Sequence, residues 1–161
     1  KGLKEFLQMV ALLKTKNIKA FVVGKESNMS YYQNLSKKLN IDNQIFFTGP
    51  RTDVNDFYTI SDIFLFPTHY DPFSNVVLEA MYFENAVFTT RSNGASEILD
   101  PDFIMNSPYD KKVATSIDNL LSNIITLNEV KIRNKKISKQ FPIEKNLKKT
   151  LEVINKIEKS F

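Results

Sequence analysis

Ile63-Phe64-Leu65-Phe66-Pro67-Thr68-His69-Tyr70-Asp71-Pro72-Phe73-Ser74-Asn75-Val76-Val77-Leu78-Glu79-Ala80-Met81 decides the fold. Four consecutive apolar residues stopped by a proline read as a strand buried on both faces. A loop carrying Asp71 follows, and a helix begins near Ser74, with residues 74–84 suited to it. Ala86-Val87-Phe88-Thr89 is then a second apolar run without polar alternation. Strand, helix and strand in this order predict a parallel sheet covered by helices.

The same alternation extends in both directions. Upstream, Leu3, Phe6, Leu7, Val10 and Leu13 share one helical face, which predicts a helix over 2–16. Ala20-Phe21-Val22-Val23 reads as a strand ended by Gly24, and a polar helix is expected from Ser27 to Leu39. Ile45-Phe46-Phe47-Thr48 is a strand ended by Gly49, and a short helix runs from Asp53 to Ser61. Downstream, a short helix is expected over Ala95–Leu99 and a weak strand at Phe103-Ile104-Met105. Val113, Ile117, Leu120, Leu121, Ile124 and Ile125 then mark one long helix. The fold class is α/β: a doubly wound, Rossmann-like parallel sheet in one domain over 1–161. Such a unit normally starts with a strand, whereas this chain opens on Lys1-Gly2 and a helix, so a first strand is expected ahead of Lys1.

Composition narrows the chemistry. A chain of 161 residues, 42% hydrophobic and 25% charged, is long enough for a real core without staples. It has no cysteine, which excludes disulfides, thiolate metal sites and cysteine nucleophiles and fits a reducing, cytoplasmic setting. The net charge of +4 is concentrated between Lys131 and Lys149. That stretch reads as a solvated helix face, with an acidic partner or an anionic lipid surface as the other reading. No arginine-rich helix or stacking-aromatic motif accompanies the lysines, so nucleic acid is not expected as a partner. One histidine and no cysteine make a protein zinc site improbable, and no nucleophile elbow is present.

Four glycines carry positional information. Gly24 and Gly49 directly follow strands, Gly94 lies just past another, and Gly2 precedes the first helix. All four fall at the carboxyl edge of the sheet, where open α/β folds bind ligands. At that edge the first amides of the helix beginning near Ser74, around Asn75 to Val77, lack intrahelical partners and sit at the positive end of its dipole, which suits a diphosphate. Glu79 lies within the first two turns, within reach of sugar hydroxyls beside such a group.

These residues resemble a known family. Asp71 and Glu79, eight positions apart, match the paired acids of glycosyltransferase family 4, retaining enzymes of the GT-B fold, in their carboxyl-terminal donor-binding domain. Lys1-Gly2, Phe47-Thr48-Gly49, Asp53-Val54 through Tyr58, Ser61-Asp62, Asn93-Gly94 and Glu97 extend the match over nearly the whole chain. The nearest subgroup resembles the bacterial lipopolysaccharide-core and cell-envelope enzymes. The resemblance implies that Asp71 faces the transferred sugar, that Glu79 binds the ribose hydroxyls, and that Lys1 with the amides near Ser74, Asn75 and Val76 holds the diphosphate. Gly24, Phe47 and Thr48 would border the nucleobase with Arg51 near it, and Gly49 would belong to the donor site. From its place before the paired acids, His69 is a candidate to line the sugar pocket. It also implies a UDP- or GDP-linked sugar donor, no metal or other cofactor, and a separate amino-terminal domain that holds a glycan or glycolipid acceptor. The full-length enzyme would work at the inner face of the membrane, as a peripheral protein, and this chain alone would be inactive.

Two positions depart from the family pattern. Asp71 stands where glutamate is usual and Ser74 where glycine is common. The residues also admit plainer readings: Asp71 as a turn residue before Pro72, Glu79 as an exposed helical glutamate, His69 as a satisfied loop histidine, and Phe73 as core packing. Asp100-Pro101-Asp102 reads as a loop. Ile143–Phe161 places Leu147, Leu151, Ile154, Ile157 and Phe161 on one stripe, expected to be partly exposed here because the family's final helix packs on the other domain. The alternative functions are a non-catalytic nucleotide-binding module and a sugar-nucleotide epimerase of similar architecture.

Overall fold

The computed structural model describes residues 2–142 and 151–157. Two parallel ladders form. β1 (Ala20–Val23) pairs with β2 (Ile45–Gly49), with an irregularity between Val22 and Val23. β3 (Ile63–Phe66), β4 (Ala86–Thr90) and β5 (Ile104–Met105) make the second ladder in that order. The connections are α2 (Met29–Lys38), α3 (Val54–Ile60), α4 (Asn75–Tyr82) and, between β4 and β5, two 3-10 turns (Gly94–Ile98 and Pro101–Phe103), crossovers of the kind parallel strands require.

Side-chain direction shows why the strands lack polar alternation. Ile63, Leu65, Ala86 and Phe88 point into a core built with α1 (Leu3–Leu12), α5 (Lys111–Ser122) and α6 (Ile124–Ser138). Their neighbours Phe64, Phe66 and Val87 point the other way, into a core with α3 and α4. Both faces of the ladder are therefore covered, and every residue of β4 is buried. On the first ladder Ala20, Val22, Ile45 and Phe47 face α1 and α2, while Phe21 packs against Phe46 and against Phe57 of α3. α1 packs on both ladders: Leu7 and Val10 on the first, Met9 on the second, joined there by Leu13 just past the helix end. The doubly wound α/β arrangement read from the sequence is the one that forms.

Two helices end earlier than their periodicity suggests. α1 stops at Leu12 rather than at residue 16, because Leu13 turns extended and the amides of Lys14 and Thr15 donate to Asp118 on α5, each at 2.9 Å. Burial alone would raise the Asp118 carboxyl, but these two amides hold it below the usual carboxylate range. A depressed folded value means that its stabilisation is complete above a pH of about 4 and is lost as pH falls through the lowered value. Asp118→Ala is expected to cost on the order of 1 kcal/mol at neutral pH and less at pH about 3, read by urea unfolding at both.

The long helix expected through Ile125 is two helices. Asn123 leaves helical geometry and its side chain caps α6 by accepting from the Thr126 amide. Ile124 and Ile125, which periodicity assigns to the core face, are 62% and 70% exposed, and Leu127 and Val130 enter the core instead. The basic residues of α6 are not simply solvated either. Lys131 pairs with Asp62, Arg133 with Asp100 and Lys135 with Glu84, tying α6 to the body of the domain. Residues 151–157 are helical and exposed throughout, Leu151, Ile154 and Ile157 among them. Leu147 and Phe161 lie outside the described residues.

Candidate functional site

The loop after β3 and the loop after β4 are zipped together at the carboxyl ends of those strands. Thr89 donates to the Phe66 carbonyl at 2.9 Å and Thr90 to the Thr68 carbonyl at 2.7 Å. The Asp71 amide donates to the Ser92 carbonyl at 3.2 Å, and the Gly94 amide to the Asp71 carbonyl at 2.9 Å. Asn93, completely buried, is the hub: its Oδ1 accepts from the amides of Ser74 and Ala95, and its Nδ2 donates to Thr89. Gly94 opens a 3-10 turn (Gly94–Ile98) so close to the first loop that a Cβ would lie 1.9 Å from the Pro72 carbonyl oxygen.

α1 begins against the same loop. Gly2 adopts φ 81°, and a Cβ there would lie 1.8 Å from the Pro67 carbonyl oxygen, so only glycine permits this approach. Lys1 itself lies outside the described residues. In the first turn of α1, Glu5 meets the exposed His69 at 3.2 Å, which gives that histidine a partner across the cleft between helix and loop.

Ser74 starts α4 but does not cap it. A helix-initiating serine ordinarily accepts from an amide of the first turn, whereas here its hydroxyl donates to Asp71 Oδ2 at 2.7 Å. The positive end of α4 thus keeps the amides of Asn75 and Val76 without a side-chain cap. The two departures from the family pattern are coupled in space: the shortened acid and the added hydroxyl hold each other. Glu79 is exposed, one turn further on, and its Oε2 accepts from Tyr58 of α3 at 3.2 Å. Phe73 and Tyr70 are 40% and 76% exposed, so Phe73 is not the core residue its type suggested. Asp100 caps a second 3-10 turn (Pro101–Phe103) and binds Arg133, in keeping with a structural loop.

The remaining expected residues gather on the first ladder. The Gly24 amide donates to the Gly49 carbonyl at 2.9 Å, joining the ends of β1 and β2, and Thr48 donates to the Val22 carbonyl at 3.2 Å. Phe47 is half-buried against the α1–α2 core. Arg51 is committed to Asp53, bound through two nitrogens at 2.8 and 2.6 Å, with its guanidinium over Phe57. The structure thus assembles two groups, Asp71–Ser74–Asn75–Glu79 with Gly2 and His69 on one ladder, and Gly24–Phe47–Thr48–Gly49 with Arg51 on the other. Asn93 and Tyr58 organise the first group without having been singled out as site residues. The Asn93-Gly94 pair was a visible turn signal, whereas nothing near Tyr58 in sequence points to a partner 21 residues away.

This fold and edge place the chain among Rossmann-like α/β domains. The sequence profile of the glycosyl transferases group 1 matches residues 1–137, and the chain belongs to that family. It is 29% identical over 129 residues to the capsular polysaccharide biosynthesis glycosyltransferase CapM of Staphylococcus aureus, covering 76% of this chain and 34% of CapM. In fold it is similar to Anabaena HepE in complex with UDP-glucose, with a TM-score of 0.84 and 18% identity over 94% of this chain and 44% of that one. WaaG, a glycosyltransferase involved in lipopolysaccharide biosynthesis, superposes with a TM-score of 0.82 and 19% identity, covering 96% of this chain and 43% of WaaG. The chain thus spans about a third of the curated relative's length (34%). No helix among the described residues is long and apolar enough to cross a membrane.

Proposed function

We propose that this chain binds the nucleotide-sugar donor, UDP-linked by preference, of a retaining hexosyltransferase that builds a cell-envelope glycan. The carrying observation is the start of α4, left without a side-chain cap between Asp71 and Glu79. In this reading the diphosphate lies against the Asn75 and Val76 amides, where the helix dipole favours the charge that grows on the leaving group. Lys1 adds a second positive group, so charge neutralisation falls to the protein and calls for no metal. Glu79 takes the ribose hydroxyls, and Asp71, steadied by Ser74, faces the sugar. The nucleobase lies toward Gly24, Phe47, Thr48, Gly49 and Arg51, and His69 borders the sugar.

The acceptor belongs to a separate amino-terminal domain, and the chain alone does not turn over. The full-length protein works at the inner face of the membrane as a peripheral protein. The UDP-glucose named with the HepE structure supports the donor class.

A calorimetric panel of UDP, GDP and their hexose conjugates tests the reading. UDP compounds are expected to bind at least tenfold tighter than GDP compounds, about 1.4 kcal/mol. A folded chain that binds no nucleotide would contradict the proposal.

A further inference from the structure

Tyr58 is fixed in the core and ends in one free-reaching group. Its side chain is 7% exposed, and its ring lies edge-on to Phe64 at 5.7 Å and stacked on Phe83 at 5.9 Å. Its backbone carbonyl accepts from the buried Asn85 Nδ2 at 2.9 Å, which anchors the end of α3 to the turn after α4. From this frame the hydroxyl donates to Glu79 Oε2 at 3.2 Å. Burial pushes the phenol up, and the Glu79 charge and the hydrogen bond between them push it further, so the group remains a donor across the physiological range.

We infer that Tyr58 is a positioning residue for Glu79: it holds one carboxylate oxygen so that the other is presented to the vicinal hydroxyls of a pentose. This rests on the reading of Glu79 as the ribose-binding acid. An exposed helical glutamate loses rotamer freedom when it orders on a ligand, and that loss subtracts from affinity. A donor already locked by two aromatic neighbours takes up part of that ordering before the ligand arrives. A carboxylate offers about four lone-pair sites on its two oxygens, so a single hydroxyl on Oε2 leaves Oε1 whole for a diol. No other side chain is recorded on the Glu79 carboxylate among the described residues. Ser74 does the corresponding work for Asp71 from three residues along the chain; Tyr58 does it from another helix.

The test is a titration of wild type, Tyr58→Phe, Glu79→Ala and the double variant with UDP and with 2′,3′-dideoxy-UDP. Tyr58→Phe keeps both ring contacts and removes the hydroxyl alone. It is expected to weaken UDP roughly fivefold to tenfold, leave dideoxy-UDP unchanged, and add nothing once Glu79 is alanine. A purely structural tyrosine lowers both nucleotides equally, and that result overturns the inference. So does unaltered UDP binding by Tyr58→Phe while Glu79→Ala shows a ribose-dependent loss. If Glu79→Ala affects UDP and dideoxy-UDP alike, the ribose reading itself fails and takes the inference with it.

Discussion

Glu79→Ala is expected to weaken UDP binding by about 1.5–3 kcal/mol, the range for hydrogen bonds to a charged group. The fold should barely register the change. Glu79 is exposed in the interior of α4, alanine is the best helix former, and surface replacements of this kind stay within roughly 0.5 kcal/mol in stability. The Tyr58 hydroxyl loses its acceptor, but that bond is only part-buried, so water can reach the freed donor once the side chain is gone. Calorimetry beside a thermal melt separates the two effects: affinity falls while the melting temperature holds. Equal affinity in variant and wild type would remove Glu79 from the site.

Gly94→Ala is expected to act in the opposite order, on stability first. The new Cβ would meet Pro72 carbonyl oxygen at 1.9 Å and its carbon at 2.9 Å, and both are backbone atoms. They cannot swing aside as a flexible side chain would, because the loop is pinned on either side by the Asp71–Ser92 and Gly94–Asp71 backbone hydrogen bonds. Overpacking of this kind costs about 1–3 kcal/mol, with roughly 2–4 °C of melting temperature for each kcal/mol at this chain length. The same displacement pulls Asn93 away from the Ser74 amide and loosens Asp71, so nucleotide-sugar binding falls too. Urea unfolding of the variant measures the first effect; an unaltered midpoint would show that the two loops are not held as closely as described.

Uninterrupted apolar runs were the most legible elements in the sequence. Ala20–Val23 and Ile63–Phe66 have the bounds their runs announce, with Gly24 and Pro67 marking where each stops. The start of α4 was legible as well, from the proline that stops β3 and the apolar helical run after Ser74. Legibility failed where a side chain took over backbone groups that the periodicity assigned to a helix. α1 ends at Leu12, four residues short of residue 16, because Asp118, more than a hundred residues away, takes the Lys14 and Thr15 amides that would have extended it. Asn123 breaks the helix that apolar spacing carried through Ile125, because a cap on α6 satisfies the backbone better than continued periodicity does.

The site shows the same division. Asp71 and Glu79 stood out by their spacing around a strand end and a helix start. Their supports differ in range: Ser74 is three residues from Asp71 and could be seen beside it, whereas Tyr58 reaches Glu79 only through the packing of α3 on α4. Gly2 and Gly94 were marked as edge glycines, but the reason they must be glycine is a backbone on another segment, Pro67 in one case and Pro72 in the other. Phe73 was assigned to the core by residue type and stands at the surface beside Tyr70, because the loop that carries it is bound to the sheet through backbone groups and Asn93 rather than through aromatic burial.

The most direct measurement is a crystal structure of the chain soaked with UDP. The account predicts diphosphate oxygens within hydrogen-bonding distance of the Asn75 and Val76 amides and the ribose diol on Glu79. Nucleotide density elsewhere on the domain, with the start of α4 left to solvent, would contradict it.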